Sequence, residues 1–177
     1  MITISRTPFS KAEERDECEL ELIHGNLPDA LRGTFFLNGP GIHRLNKRNS
    51  HPFDGHAFVR RFTFHGGSGK PGGNRVTFCG RFVETESYKR ESKAGRLVYR
   101  GLGTLPYPGT LFNIPWNLFS PGEKNVANTC VLPVDDRLLC LWEGGRPHAV
   151  NADTLRSTEI FTSNGLVKLV CILSMIN

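Results

Sequence analysis

The sequence has no C-x-x-C pair, no apolar run of membrane-spanning length, no dense basic stripe and no Gly-Lys-Ser/Thr phosphate loop. Each absence removes a class of function. Cys18, Cys79, Cys130, Cys140 and Cys171 are too scattered for a zinc site or a disulfide framework, and most read as reduced, buried small hydrophobes. The glycines between Gly66 and Gly73 lack the ending that cradles a nucleotide phosphate. The net charge of +5, from 22 basic and 17 acidic residues, is spread along the chain. That pattern does not mark a nucleic-acid surface, and no nucleic-acid partner is expected. It leaves room for peripheral contact with an anionic membrane. The opening MITISRTPFSKAEERDE has no apolar h-region, so no secretory signal is expected and a cytoplasmic location fits.

What is present is β-chemistry. Twelve phenylalanines sit in short apolar runs punctuated by 19 glycines and 11 prolines, which predicts an all-β chain of antiparallel meanders with long loops. Residues 1–30 read as an irregular arm with an acidic middle. Gly33 to Asn38 is the first strand, ended by the turn chemistry of Asn38-Gly39-Pro40-Gly41. Alternation then puts Phe58, Phe62 and Phe64 on a core face, opposite Ala57 and Val59. A glycine-rich hairpin leads to a strand over 75–83, and 87–96 is either one short helix or an extended loop. Residues 101–121 hold four prolines and no stable period, as in a loop packed on something or a mouth that meets lipid or ligand. Strands over 126–134, 137–143 and 147–151 follow, turned by Asp135-Asp136 and Gly144-Gly145-Arg146. The segment 160–177 is an apolar tail of different character.

Several of these pieces, in this order, resemble the carotenoid cleavage oxygenase family. The resemblance rests on the lead-in Leu27, Pro28, Leu31 and Gly33, on GTFFLNGPG over 33–41, and on Phe53-Asp54-Gly55. It continues through Arg81-Phe82-Val83-Glu84-Thr85 with Tyr88 and Glu91, Ala127-Asn128-Thr129, LCLWEGG over 139–145, Pro147 and Asp153-Thr154-Leu155. The resemblance implies a seven-bladed β-propeller holding one Fe(II) on four histidines, which uses dioxygen to cleave a conjugated double bond in a carotenoid or apocarotenoid. On that reading residues 31–159 are the first blades of a partial propeller.

The family's first iron histidine is expected shortly after the Asp-x-Thr-Leu element, and no histidine follows His148. The resemblance therefore implies a chain that lacks the iron ligands, holds no cofactor and is inactive alone. An improvised site of His51, His56 and Asp54, with His43 nearby, is the minor alternative. Glu143 has two readings of its own, because it alternates with Leu139 and Leu141. It is either a strand-end residue at the solvent rim or a carboxylate on a buried face that needs a partner. The resemblance adds a role, that of accepting the N–H of an iron-bound imidazole and orienting it. Open edges and uncovered apolar faces make the isolated chain aggregation-prone. Two noncatalytic readings compete with the oxygenase one. One is an apocarotenoid- or lipid-binding module, the other a small β-domain acting through protein contacts.

Overall fold

The fold is described from a computed structural model over residues 12–42, 44–45, 48–67, 75–107 and 109–160. In chain order the strands are β1 (Arg15–Leu20), β2 (Arg32–Ile42), β3 (Arg44–Leu45), β4 (Arg48–Asn49), β5 (His56–His65) and β6 (Val76–Phe82). Helices α1 (Glu86–Ala94) and α2 (Ile114–Leu118) come next, then β7 (Cys130–Val134), β8 (Arg137–Leu141), β9 (His148–Asn151) and β10 (Ser157–Ile160). They build two four-stranded antiparallel sheets, in the orders β1-β6-β5-β2 and β10-β9-β8-β7, beside the small β3-β4 ribbon.

The two sheets pack face to face. Ala57, Val59 and Cys79 of the first meet Leu138, Cys140 and Val150 of the second. This places the main core on the side of β5 opposite the one expected. Phe58 is also buried, but against Ile42 and Phe82 in a smaller cluster closed by Tyr88 of α1. Phe62 and Phe64 are only part-buried. β5 is thus covered on both sides where it begins, so its alternation did not identify one inner face.

Three further differences from the sequence reading have local causes. Residues 15–20, expected within the irregular arm, form β1 and pair with β6. Their acidic side chains find counter-charges on the neighbouring strands, Glu17 on Arg61 of β5 and Asp16 on Arg81 of β6. The Asn38–Gly41 stretch, read as a turn, continues β2 to Ile42 with a register shift after Pro40. Proline is tolerated because β2 lies at the edge of its sheet. Gly41 is needed there, since a Cβ would lie 2.6 Å from both Phe58 Cβ and Phe82 Cε1. Finally, β10 makes the second meander four-stranded, and β7, β8 and β9 are shorter than the expected strands.

Of the two readings of 87–96, the helix holds. Thr85 caps α1 by accepting the N–H of Tyr88, and Gly95 closes it in the left-handed region. The Asp135-Asp136 turn also stands, with Asp135 at a φ of 53° between β7 and β8. The tip of the β5–β6 hairpin over 68–74, His43 and the tail from 161 onward lie outside the described residues. Among the described residues no helix is long and apolar enough to cross a membrane.

Candidate functional site

A cleft of about 690 Å³ opens where the two sheets and the proline-rich loop meet. Its apolar lining includes Pro40, Phe53, Leu102 and Trp142, and its polar lining includes Asn128, Thr129 and Glu143. Each wall is held by side chains that satisfy backbone groups. Asn38 Nδ2 donates to the carbonyls of Ala127 (2.7 Å) and Cys130 (2.9 Å), tying the end of β2 to the start of β7. Asn128 Nδ2 donates to the carbonyls of Phe53 (2.9 Å) and Gly55 (2.6 Å), fixing the turn that presents Phe53. Asp54 accepts from the N–H groups of Leu102 (2.8 Å) and Gly103 (3.1 Å) and so sets the opposite lip.

Glu143 lies just past β8, in the turn rather than on the strand, and is exposed toward the cleft. The rim reading of this residue is therefore correct as to position. It also has a partner, because Thr129 Oγ1 donates to Glu143 Oε2 at 3.0 Å. Thr129 N–H donates to the Leu141 carbonyl, which brings the start of β7 beside the end of β8. Trp142 is buried and also lines the cleft. Gly144 makes room for it, as a Cβ there would lie 2.5 Å from the indole Cη2.

The structure does not assemble an iron site from His51, His56 and Asp54. His51 Nδ1 accepts the N–H of Phe53 at 3.3 Å. Both oxygens of Asp54 are occupied by backbone donors. His56 points away into the interior, where Nε2 meets Glu91 Oε2 at 2.8 Å. Among the described residues no three His, Cys, Asp or Glu side chains are grouped so as to hold a metal ion. The donors in hand do not fit an iron centre.

What sequence reasoning missed is the cluster around Glu91. His56, Glu91 and Lys124 are 1%, 0% and 3% exposed. Lys124 Nζ lies 2.8 Å from Glu91 Oε2, the same oxygen that faces His56. Glu91 Oε1 accepts the N–H groups of Val98 (2.9 Å) and Tyr99 (3.1 Å). Burial pushes the Glu91 carboxyl up, but the His56 hydrogen bond and the Lys124 charge together outweigh it and hold the pKa at about 2. Burial lowers His56 to about 4, with Lys124 adding to the shift and the Glu91 bond opposing it. His56 is therefore neutral near pH 7 and gives its Nε2 proton to Glu91, which leaves Nδ1 buried without a hydrogen-bond partner. Burial also lowers the Lys124 pKa, an effect opposed by Glu91.

Comparison with known proteins places these features in context. The model of the family described as retinal pigment epithelial membrane protein matches residues 9–174. The chain is 39% identical to the apocarotenoid-15,15'-oxygenase of Synechocystis sp., over 84% of this chain and 29% of that protein. It is 36% identical to the chloroplastic carotenoid cleavage dioxygenase 7 of Oryza sativa subsp. japonica, over 86% of this chain and 25% of that protein. A solved threonine-to-alanine form of the Synechocystis apocarotenoid oxygenase superposes with a TM-score of 0.75 at 37% identity, over 89% of this chain and 31% of that one. Other solved forms of the same enzyme carry a substituted tryptophan, a substituted glutamate immediately after it, or cobalt in place of the native metal. The chain thus spans less than a third of the length of these relatives.

Proposed function

The chain belongs to the carotenoid cleavage oxygenase family, and we propose that it forms the N-terminal part of an Fe(II)-dependent oxygenase that cleaves a conjugated double bond of a carotenoid or apocarotenoid with dioxygen. Its two four-stranded sheets are the first two blades of a seven-bladed propeller. In the first, the chain's earliest strand is outermost and β2 innermost. In the second, the strands run outward in order from β7. β2 and β7 lie side by side, as inner strands of adjacent blades would.

One observation carries the assignment of the site. The threonine, tryptophan and glutamate substituted in the solved Synechocystis enzyme have the same spacing as Thr129, Trp142 and Glu143. Those three residues share one wall of the cleft here. In this reading the cleft is part of the path of a nonpolar polyene, with Phe53, Leu102 and Trp142 excluding water from it. Glu143 Oε2 is held by Thr129, so the carboxylate is set to accept an imidazole N–H and orient a histidine that binds iron. The iron, when bound, supplies dioxygen activation. In this reading the histidines that would hold it lie outside the described residues, among which no three His, Cys, Asp or Glu side chains are grouped for a metal. The segment on its own is accordingly proposed to be inactive.

The loop that forms the other lip offers a membrane contact. Phe112 and Phe119 are 89% and 83% exposed, and Leu102, Leu111, Trp116 and Leu118 are exposed beside them. A patch of this kind suits an enzyme whose substrate is dissolved in lipid.

The test is iron content. The 177-residue chain, purified anaerobically with Fe(II), is expected to retain no stoichiometric iron while showing β-structure by circular dichroism. One tightly held iron per chain would overturn the proposal that the ligands lie outside this segment.

A further inference from the structure

The second sheet is buried on both faces, and the described residues cover only one of them. Leu138, Cys140 and Val150 point to the first sheet. On the opposite face the register sets Leu132, Leu139 and Ala149 in a row across β7, β8 and β9, with Cys130 beside Leu141. Leu139, Leu141 and Ala149 are 3%, 2% and 0% exposed. Among the described residues, every apolar side chain in this cluster belongs to the sheet itself. Neighbours on one face of a sheet shield one another sideways but not from above, so burial this deep needs a second layer. The cover is uneven, since Cys130 and Leu132 on β7 are part-buried and Val134 is exposed. Burial thus deepens towards β10, the strand from which the chain runs on into residue 161.

We propose that residues 161–177 fold back over the face formed by Leu139, Leu141 and Ala149 and act as its built-in cap. Three observations select this occupant. The burial is present in a single chain, so a second copy is not needed to produce it. The first sheet is occupied on the opposite face. The segment also has the chemistry of a cover, because Leu166, Val167, Leu169, Val170, Ile172 and Leu173 surround a single Lys168. Asn164-Gly165, just after β10, supplies the residues for a reversal of the chain. Crossing back from β10 to β7 takes about 15 Å at the spacing of paired strands, a distance that about five extended residues cover. The inference does not depend on the oxygenase reading, and it gives the apolar segment a partner within its own chain.

The experiment reads thiol accessibility in the full chain carrying Cys18→Ser, since Cys130 belongs to the face and Cys171 to the segment. Maleimide labelling is followed cysteine by cysteine by peptide mass spectrometry. Leu169→Ser with Val170→Ser removes two adjacent apolar side chains, which a strand would point to opposite sides. That variant is expected to speed labelling of Cys130 by about tenfold, because labelling tracks the open population. Buried Cys140, on the opposite face, should stay slow. Cys130 labelling unchanged by the variant would overturn the cap. Should Cys140 quicken as well, the variant has unfolded, and a short bis-maleimide decides on the chain with residues 161–177 unaltered. At low concentration, a Cys130–Cys171 link within one chain upholds the cap. Links formed only between chains would make a second copy the occupant and overturn it, as would no link at all.

Discussion

Glu91 joins three stretches of chain that are far apart in sequence. Through one carboxylate it holds His56 at the start of β5, the backbone of Val98 and Tyr99, and Lys124 on the approach to β7. Asp54 also acts on the Lys124 charge, and the Tyr88 ring meets the His56 ring edge-on at 5.4 Å. The cluster makes folding sensitive to acid in two steps. His56 has a folded pKa of about 4 against an ordinary 6.5, so it takes up protons more readily when unfolded. Its contribution is complete above pH 6.5 and is lost as pH falls through about 4. Glu91 is likewise depressed, from 4.5 to about 2. Its share is complete above pH 4.5 and is lost as pH falls through about 2. Buried His148 is lowered in the same direction, chiefly by desolvation. Urea melts of the chain should therefore move to lower midpoints between pH 6.5 and 4. His56→Gln, which keeps a donor for Glu91 but cannot titrate, should flatten that interval. An unchanged pH profile in the variant would remove the cluster from the explanation.

None of this was legible in the sequence, and the reason is specific. Glu91 stands among Lys89, Arg90, Ser92 and Lys93 on a short polar helix, and nothing in that pattern marks one carboxylate as buried. His56 was legible only as a histidine after Asp54-Gly55 and as a candidate metal ligand, not as a buried partner of a carboxylate. Its partner lies 35 positions away, a separation that no local pattern encodes. Glu143 was different, because its alternation with two leucines left open a rim position or a buried face, and the exposed turn is the rim. Thr129 supplies its partner there.

At the scale of elements, β2 shows where propensity gave way to tertiary context. Asn, Gly and Pro in succession are turn residues by composition, yet the chain stays extended through them to Ile42. Asn38 uses its side chain to bridge the carbonyls of Ala127, before β7, and Cys130, at its start, and Pro40 sits at an edge where a missing N–H is tolerated. Gly41 is required by contact: the Phe58 and Phe82 side chains occupy the space of a Cβ. The two rings pack edge to face at 4.8 Å between centroids, with Tyr88 stacked on Phe82 at 5.1 Å. Gly41→Ala must therefore displace part of a packed aromatic cluster. It should destabilise the chain by about 1–3 kcal/mol, read from denaturant melts. A variant as stable as the unaltered chain would show that β2 can move away from β5 at its bulge. The meander of β7, β8 and β9 was read correctly as to type because alternation and an Asp-Asp turn agree there. β10 was missed because it follows a tight Asp-Thr turn with little apolar signal of its own.

At the scale of the molecule, the two sheets bury one face of each against the other, and the far side of the first sheet is left with an aromatic row. Phe35, Phe62 and Phe78 follow one another across β2, β5 and β6, with ring centroids 6.3 and 5.1 Å apart. Leu37 is exposed beside them, and Arg60 folds back over Phe58. In a propeller such a face packs against the neighbouring blade, and β2 is the strand that would run nearest the axis. In the structure Phe35 and Leu37 on that face are exposed, so the purified 177-residue chain can offer it to another copy. The expected outcome is self-association of the purified chain, visible as concentration-dependent light scattering. The row itself should be responsible, not the exposed apolar loop over 102–119. Phe35→Thr with Leu37→Thr keeps β-forming residues on β2 and removes its two exposed apolar side chains. That double variant should scatter less at equal concentration and melt no earlier, since neither side chain lies in a buried cluster. A monodisperse, cooperatively melting monomer of the unaltered chain would count against the uncovered face as a liability. Scattering unchanged in the double variant would move the cause to the apolar loop over 102–119.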